Sequence, residues 1–170
     1  VLCTGEDRIN TAVFSPDRKH LAIRGEKIRL VDLVEMKARP PIDAYASHLS
    51  FSADGKSLFG SYDGQNSLLR WDIDKEEWDQ PLKTHSGYYA LRVYAHATST
   101  KAPILATAGY DNQIRVWNHQ TGKLLVTFQG HQKYIERIVM RPDGKAIASL
   151  DGNDQSLLNA TKLYPQTKTP

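Results

Sequence analysis

Ala106-Thr-Ala-Gly-Tyr-Asp-Asn-Gln-Ile-Arg-Val-Trp-Asn118 decides the fold. An apolar run ends in Ala-Gly, turns at Tyr110-Asp111-Asn112, and restarts as Ile-Arg-Val-Trp with period-two alternation. Asp-Asn tolerates the backbone angles that a tight turn needs. The stretch is therefore predicted to be two antiparallel strands joined by a hairpin.

Weaker copies of the unit lie on either side. Four segments share the order strand, Asp-rich turn, strand, polar turn, strand. Their anchors are Phe14-Ser-Pro-Asp17, Phe51-Ser-Ala-Asp-Gly55, Tyr94 and Met140-Arg-Pro-Asp-Gly144. In the Pro-Asp-Gly version Pro presets φ, Asp bonds its own backbone and Gly takes the left-handed position. At Tyr94 the turn is replaced by the longer, polar 95–102 segment, which reads as an exposed loop. Second strands follow at Leu21-Ala-Ile23, Ser57-Leu-Phe59, Ile104-Leu-Ala-Thr107 and Ala146-Ile-Ala-Ser149. Third strands follow at Ile28-Arg-Leu-Val-Asp32, Leu68-Leu-Arg-Trp-Asp72, Ile114-Arg-Val-Trp-Asn118 and Leu157-Leu-Asn-Ala160, and a fourth is clearest at Leu124-Leu-Val-Thr-Phe128. Four-stranded units recurring roughly every forty residues predict an all-β chain, a β-propeller of four-stranded antiparallel blades.

The units resemble WD repeats, a family marked by Gly-His before the first strand and Trp-Asp closing the third. Trp71-Asp72 matches the closing pair and Trp117-Asn118 is close to it. Gly130-His131 matches the opening pair, while Thr84-His85 keeps its His. The resemblance runs from Val1 to Leu163. It divides the chain into blades at about 5–37, 38–83, 84–128 and 129–163, followed by a flexible tail at 164–170. Val1-Leu-Cys-Thr-Gly5 aligns with Val126-Thr-Phe-Gln-Gly130, so residues 1–4 are expected as a closing outer strand. Four blades could close on themselves or form part of a larger ring. The second reading is favoured, because the family usually has about seven or eight blades and a four-blade arc would expose two apolar faces. Another chain, a second copy or missing sequence would then complete the ring.

The resemblance also gives a structural role to residues that would otherwise suggest catalysis. His85, Thr107, Asp111 and Trp117 match the His, Ser/Thr, Asp and Trp that hold one blade rigid in WD repeats. The last unit keeps His131, Ser149 and Asp154 but has Ala160 in the Trp position. Such a network satisfies polar groups that would be costly to bury alone.

Composition narrows the function further. Hydrophobic residues make up 40% and charged residues 24%, which fits a globular protein and not a disordered one. The net charge of +3 comes from scattered basic residues, and no Lys/Arg stripe points to nucleic acid. No apolar run is long enough to span a membrane. The single cysteine, Cys3, excludes an internal disulfide framework and fits a reducing cytoplasm. Asp151-Gly-Asn-Asp154 lacks the length and distal Glu of a calcium loop. Zinc spacings, a phosphate-binding Gly-rich loop and a Gly-x-Ser-x-Gly elbow are all missing, so no metal or cofactor is expected.

A different recurrence points to a partner. Arg8, Tyr45, Tyr88 and Tyr134 stand six residues before the four anchors, and Tyr62 and Tyr110 each precede a turn Asp. The resemblance puts these residues on one face of the ring. Tyr and Arg dominate binding hot spots, giving large contact area at small entropy cost. Packing between blades is the competing use. The expected function is a non-catalytic scaffold or docking module for protein or peptide partners. A propeller hydrolase with its site in the central channel is the alternative.

Overall fold

The computed structural model describes residues 9–44, 46, 48–61, 67–83, 93–152 and 161–162; within them the chain forms strands and no helix. All strand pairs are antiparallel and fall into four sheets. Blade 1 runs β1 (Thr11–Phe14), β2 (His20–Arg24), β3 (Ile28–Asp32) and β4 (Lys37–Ala38). Blade 2 runs β5 (His48–Phe51), β6 (Ser57–Ser61), β7 (Ser67–Asp72) and β8 (Glu77–Trp78), and β9 (Leu82–Lys83) also pairs with β7. Blade 3 runs β10 (Val93–Thr98), β11 (Ile104–Gly109), β12 (Ile114–Asn118) and β13 (Lys123–Phe128). Blade 4 runs β14 (Ile135–Met140), β15 (Ala146–Asp151) and β16 (Thr161–Lys162). The proposed closing strand at 1–4 and the tail at 164–170 lie outside the described residues.

The turns follow from the side chains that open them. In blade 1 the Ser15 hydroxyl donates to Asp17 at 2.6 Å and accepts the His20 N–H at 2.9 Å. In blade 2 Ser52 repeats this with Asp54 at 2.5 Å and Ser57 at 2.9 Å. Gly55 and Gly144 take the left-handed conformation in these turns, with φ of 71° and 73°. Arg18, at the same place in blade 1, is forced into it at φ 61°. The turns from third to fourth strand share another device. Asp32, Asp72 and Asn118 each accept the backbone N–H groups two and three residues on, at 2.8–3.0 Å. This makes the last residue of each third strand the cap of the turn that follows it.

Register corrects the reading of blade 3. Phe14 pairs with Leu21, Phe51 with Leu58 and Met140 with Ile147, and the residue in that place in blade 3 is Thr98, paired with Leu105. Tyr94 is therefore not the anchor. It is the extra residue of a bulge between Val93 and Ala95. Residues 95–98 are not a loop either: they complete β10, with Ala95 and His96 buried. The reading failed there because Thr98 interrupts the apolar pattern that marked the other three anchors.

Outer strands differ between blades. Pro40 and Pro41 separate β4 from a lone Ile28–Ile42 bridge, and Pro81 separates β8 from β9. Proline cannot donate to a ladder, so it breaks an edge strand. Blade 3 has no proline there, and β13 is continuous.

The blades pack face to face. Ala22, Ile28, Leu30, Ile42, Leu49, Phe51, Leu58 and Ile73 fill the seam between blades 1 and 2. Phe59, Leu68, Val93, Leu105 and Trp117 fill the second seam. Ala95, Ile104, Ala106, Ala108, Ile114, Val116, Ile135, Ile138 and Ile147 fill the third.

Candidate functional site

Two polar groups lie inside the blades. In blade 3 the Trp117 indole N–H donates to the Thr107 hydroxyl at 3.0 Å, and both residues are buried. At the hairpin, Arg115 donates to Asp111 at 2.6 Å, and both side chains are only 16% exposed. His85, expected in the same network, lies outside the described residues. Pairing shows why the other blades lack this bolt. Thr107 is replaced by Ile23 in blade 1 and by Gly60 in blade 2. Trp71 there has Gly60 in place of a hydroxyl residue at that register, and its indole lies edge-on to Trp78, with ring centroids 5.0 Å apart.

Blade 4 keeps a different set. His131 Nε2 lies 2.7 Å from the Ser149 hydroxyl, and Nδ1 lies 3.1 Å from Asp151. Asp154, expected to supply this carboxylate, lies outside the described residues; the group on His131 is Asp151, at the end of β15. Spacing by the blade 3 template points to an acid in the turn, and Asp151 stands before it, at the end of the strand. Ser, His and Asp are connected as in acyl-transfer enzymes, but geometry decides their use. Ser149 is 5% exposed and its hydroxyl faces the imidazole inside the blade. The set clamps the segment before β14 to β15.

Outside the polar groups, three tyrosines meet at the junction of blades 3 and 4. Tyr110 follows β11, Tyr134 precedes β14, and Tyr94 is the bulge residue of β10. Tyr110 and Tyr134 are parallel, with centroids 5.4 Å apart. Tyr94 lies 5.9 Å from the first and 5.2 Å from the second, tilted by 34–35°. The Tyr134 hydroxyl donates to Glu136 at 3.2 Å, and this carboxylate raises the Tyr134 pKa. Gly152 lies beneath: a Cβ there would come within 2.6 Å of the Tyr134 ring. Tyr110 remains 46% exposed.

Two of the six partner candidates, Tyr110 and Tyr134, are thus brought together. Arg8, Tyr45, Tyr62 and Tyr88 lie outside the described residues. Tyr94 stands at the anchor position of the sequence pattern, which hides its place in the cluster. The signal that could have found it is Thr98-Ser99, which matches Phe14-Ser15 and Phe51-Ser52 in its Ser.

A cavity of about 110 Å³ opens between blades 1 and 2, lined by Leu30, Arg39, Pro40, Ile42 and Trp71 among others. It is small beside the roughly 300–1,000 Å³ of small-molecule sites. Among the described residues no cluster of three His, Cys, Asp or Glu could hold a metal.

Comparison with known proteins agrees with this geometry. The family model described as WD domain, G-beta repeat, matches residues 79–118. The crystal structure of the RRP9 WD40 repeats superposes with a TM-score of 0.69 at 19% identity, over 91% of this chain and 48% of that one. The fold is that of a run of propeller blades, with the WD-repeat match at residues 79–118. The structure of U3-55K also gives a TM-score of 0.69, at 18% identity over 91% of this chain and 49% of that one. Among curated proteins, Coronin-7 of Mus musculus is 39% identical over 62 residues, 36% of this chain and 6% of its own length. Nuclear distribution protein PAC1 of Arthroderma benhamiae is 29% identical over 120 residues, 67% of this chain and 26% of its own length. The chain thus spans about half of the solved structures and between 6% and 26% of these curated relatives.

Proposed function

We propose that the chain is a non-catalytic interaction scaffold that docks a protein or peptide through the Tyr94–Tyr110–Tyr134 cluster. One contrast carries the reading: the polar residues with catalytic connectivity are buried, whereas the aromatic cluster reaches solvent through Tyr110, 46% exposed. Large rigid aromatic surface of this kind anchors protein interfaces. Its test is the Tyr110→Ala variant. Partners captured by the wild type are expected to be lost while the melting temperature is unchanged. An identical capture profile would overturn the reading.

The same reading includes a partner for the outer faces of blades 1 and 4. Phe51 is buried against blade 1, but Phe14, at the same register in blade 1, is 65% exposed. Val139 on blade 4 is 64% exposed, while Ala97 at its place in blade 3 packs into the third seam. Further blades, from another chain, a second copy or additional sequence, would cover both. For this chain alone, light scattering is expected to give a mass above 19.1 kDa. A stable monomer of that mass counts against a second copy. The cytoplasm is the proposed compartment, supported by the single Cys3.

A further inference from the structure

The tyrosine cluster has a charge that its packing does not explain. Glu136 is the extra residue of a second bulge, between Ile135 and Arg137, at the place Tyr94 occupies in blade 3. Its exposed carboxylate accepts the Tyr134 hydroxyl at 3.2 Å and pairs with no cation among the described residues. Asp111, next to Tyr110, is by contrast occupied by Arg115. The result is a single uncompensated negative charge at the edge of three electron-rich rings. Aromatic faces attract cations through their quadrupole, and a neighbouring carboxylate adds a direct partner.

We propose that this cluster selects a cationic side chain of its partner, an arginine or lysine on a basic peptide segment. The inference rests on the docking role proposed above and names what docks. A guanidinium fits because it is planar: it can lie on the Tyr110 face while its edge donates to Glu136. The parallel-displaced arrangement of Tyr110 and Tyr134 leaves ring surface uncovered, since two rings with centroids 5.4 Å apart overlap little. An anionic or neutral segment would leave the Glu136 charge unpaired.

The probe is Nα-acetyl-arginine amide, with the neutral isostere Nα-acetyl-citrulline amide as control, titrated into the full chain and followed by NMR. Arginine amide is expected to shift the Tyr94, Tyr110 and Tyr134 ring signals, with citrulline amide weaker by about tenfold. Glu136→Gln keeps an acceptor for Tyr134 but removes the charge, and should erase most of that tenfold preference. Gly152→Ala displaces the Tyr134 ring and should weaken both probes. The amide spectrum of each variant reports whether the blades are intact. Equal binding of the two probes overturns cation selection while leaving a tyrosine docking surface standing. No ring shift with arginine amide overturns the inference outright. Partner capture unaffected by Tyr110→Ala is the separate result that defeats the docking role itself.

Discussion

The second and third seams between blades use different chemistry. The buried core of the third is aliphatic, filled by Ala, Ile and Val from β10, β11, β12, β14 and β15, with Phe128 and Met140 packed at its margin. The second contains Phe59, Trp117 and two buried imidazoles, those of His96 and His119. Neither imidazole has a well-aligned hydrogen-bond partner. Burial pushes the His96 pKa down to about 3, with the nearby His48 adding to the shift and the Phe59 backbone carbonyl opposing it. Burial also lowers His119, with Arg70 adding to the effect and Asp54 opposing it, and its ring lies edge-on to Phe59 at 5.4 Å. An aliphatic seam holds by area alone and is indifferent to pH. The second seam is stable only while its imidazoles stay neutral.

The largest effect should come from the bolt of the second seam. Trp117→Ala is expected to cost about 3–5 kcal/mol in urea unfolding. Trp71→Ala should cost less, because that indole is only partly buried and has Gly60 at the register of the hydroxyl. Equal losses would erase the distinction between bolted and unbolted blades.

Next comes pH. Both imidazoles have lower pKa values folded than unfolded, so their neutral forms contribute full stability above about pH 6.5. As pH falls below that value the unfolded chain takes up protons that the folded chain refuses, and stability drops until about pH 3, where His96 itself protonates. The turn carboxylates also have lowered values: Asp17 through Ser15, Asp32 through the Glu35 and Val34 N–H groups, and Asp72 through the Lys75 N–H. Their contribution is lost only below about pH 4. Between pH 7 and 5 the melting temperature should therefore fall, and His96→Leu should flatten that slope. Hydrogen exchange, corrected for intrinsic rates, should show β10 loosening from β5 before it loosens from β14. The reverse order would break the comparison.

Smaller again is Asp111→Ala, expected to cost about 1–3 kcal/mol by removing the carboxylate that accepts from Arg115 in the hairpin. An unchanged midpoint would remove Asp111 from the blade's support. The smallest effect is a gain. Arg18→Gly should add about 0.5 kcal/mol by relieving a left-handed residue, whereas Gly144→Ala should do the opposite.

Legibility in the sequence followed chemistry that is local. Phe-Ser-Pro-Asp and Phe-Ser-Ala-Asp-Gly could be read because each turn is made by residues within it, as the Ser15 and Ser52 bonds show. Trp117 and Thr107 could be paired because blade 3 retains both. Thr98 could not be read, since its role depends on register with Leu105 and its hydroxyl bonds the distant Phe51 carbonyl at 2.6 Å. His96 fell in a polar run, and only the neighbouring blade buries it. Asp151, which contacts His131, lies outside the spacing that the blade 3 template sets for the acid, so the pattern does not point to it. The tyrosine cluster was half visible: Tyr110 and Tyr134 stood out by position, but Tyr94 needed the bulge.

That bulge has a consequence for how the surface can change over generations. Tyr94 and Glu136 are each the one residue in their strand without a cross-strand counterpart. Every paired neighbour is constrained by the ladder and by the seam it faces, but these two positions are not. Mutation there can rewrite what the rim recognises while the blades beneath inherit their packing unaltered.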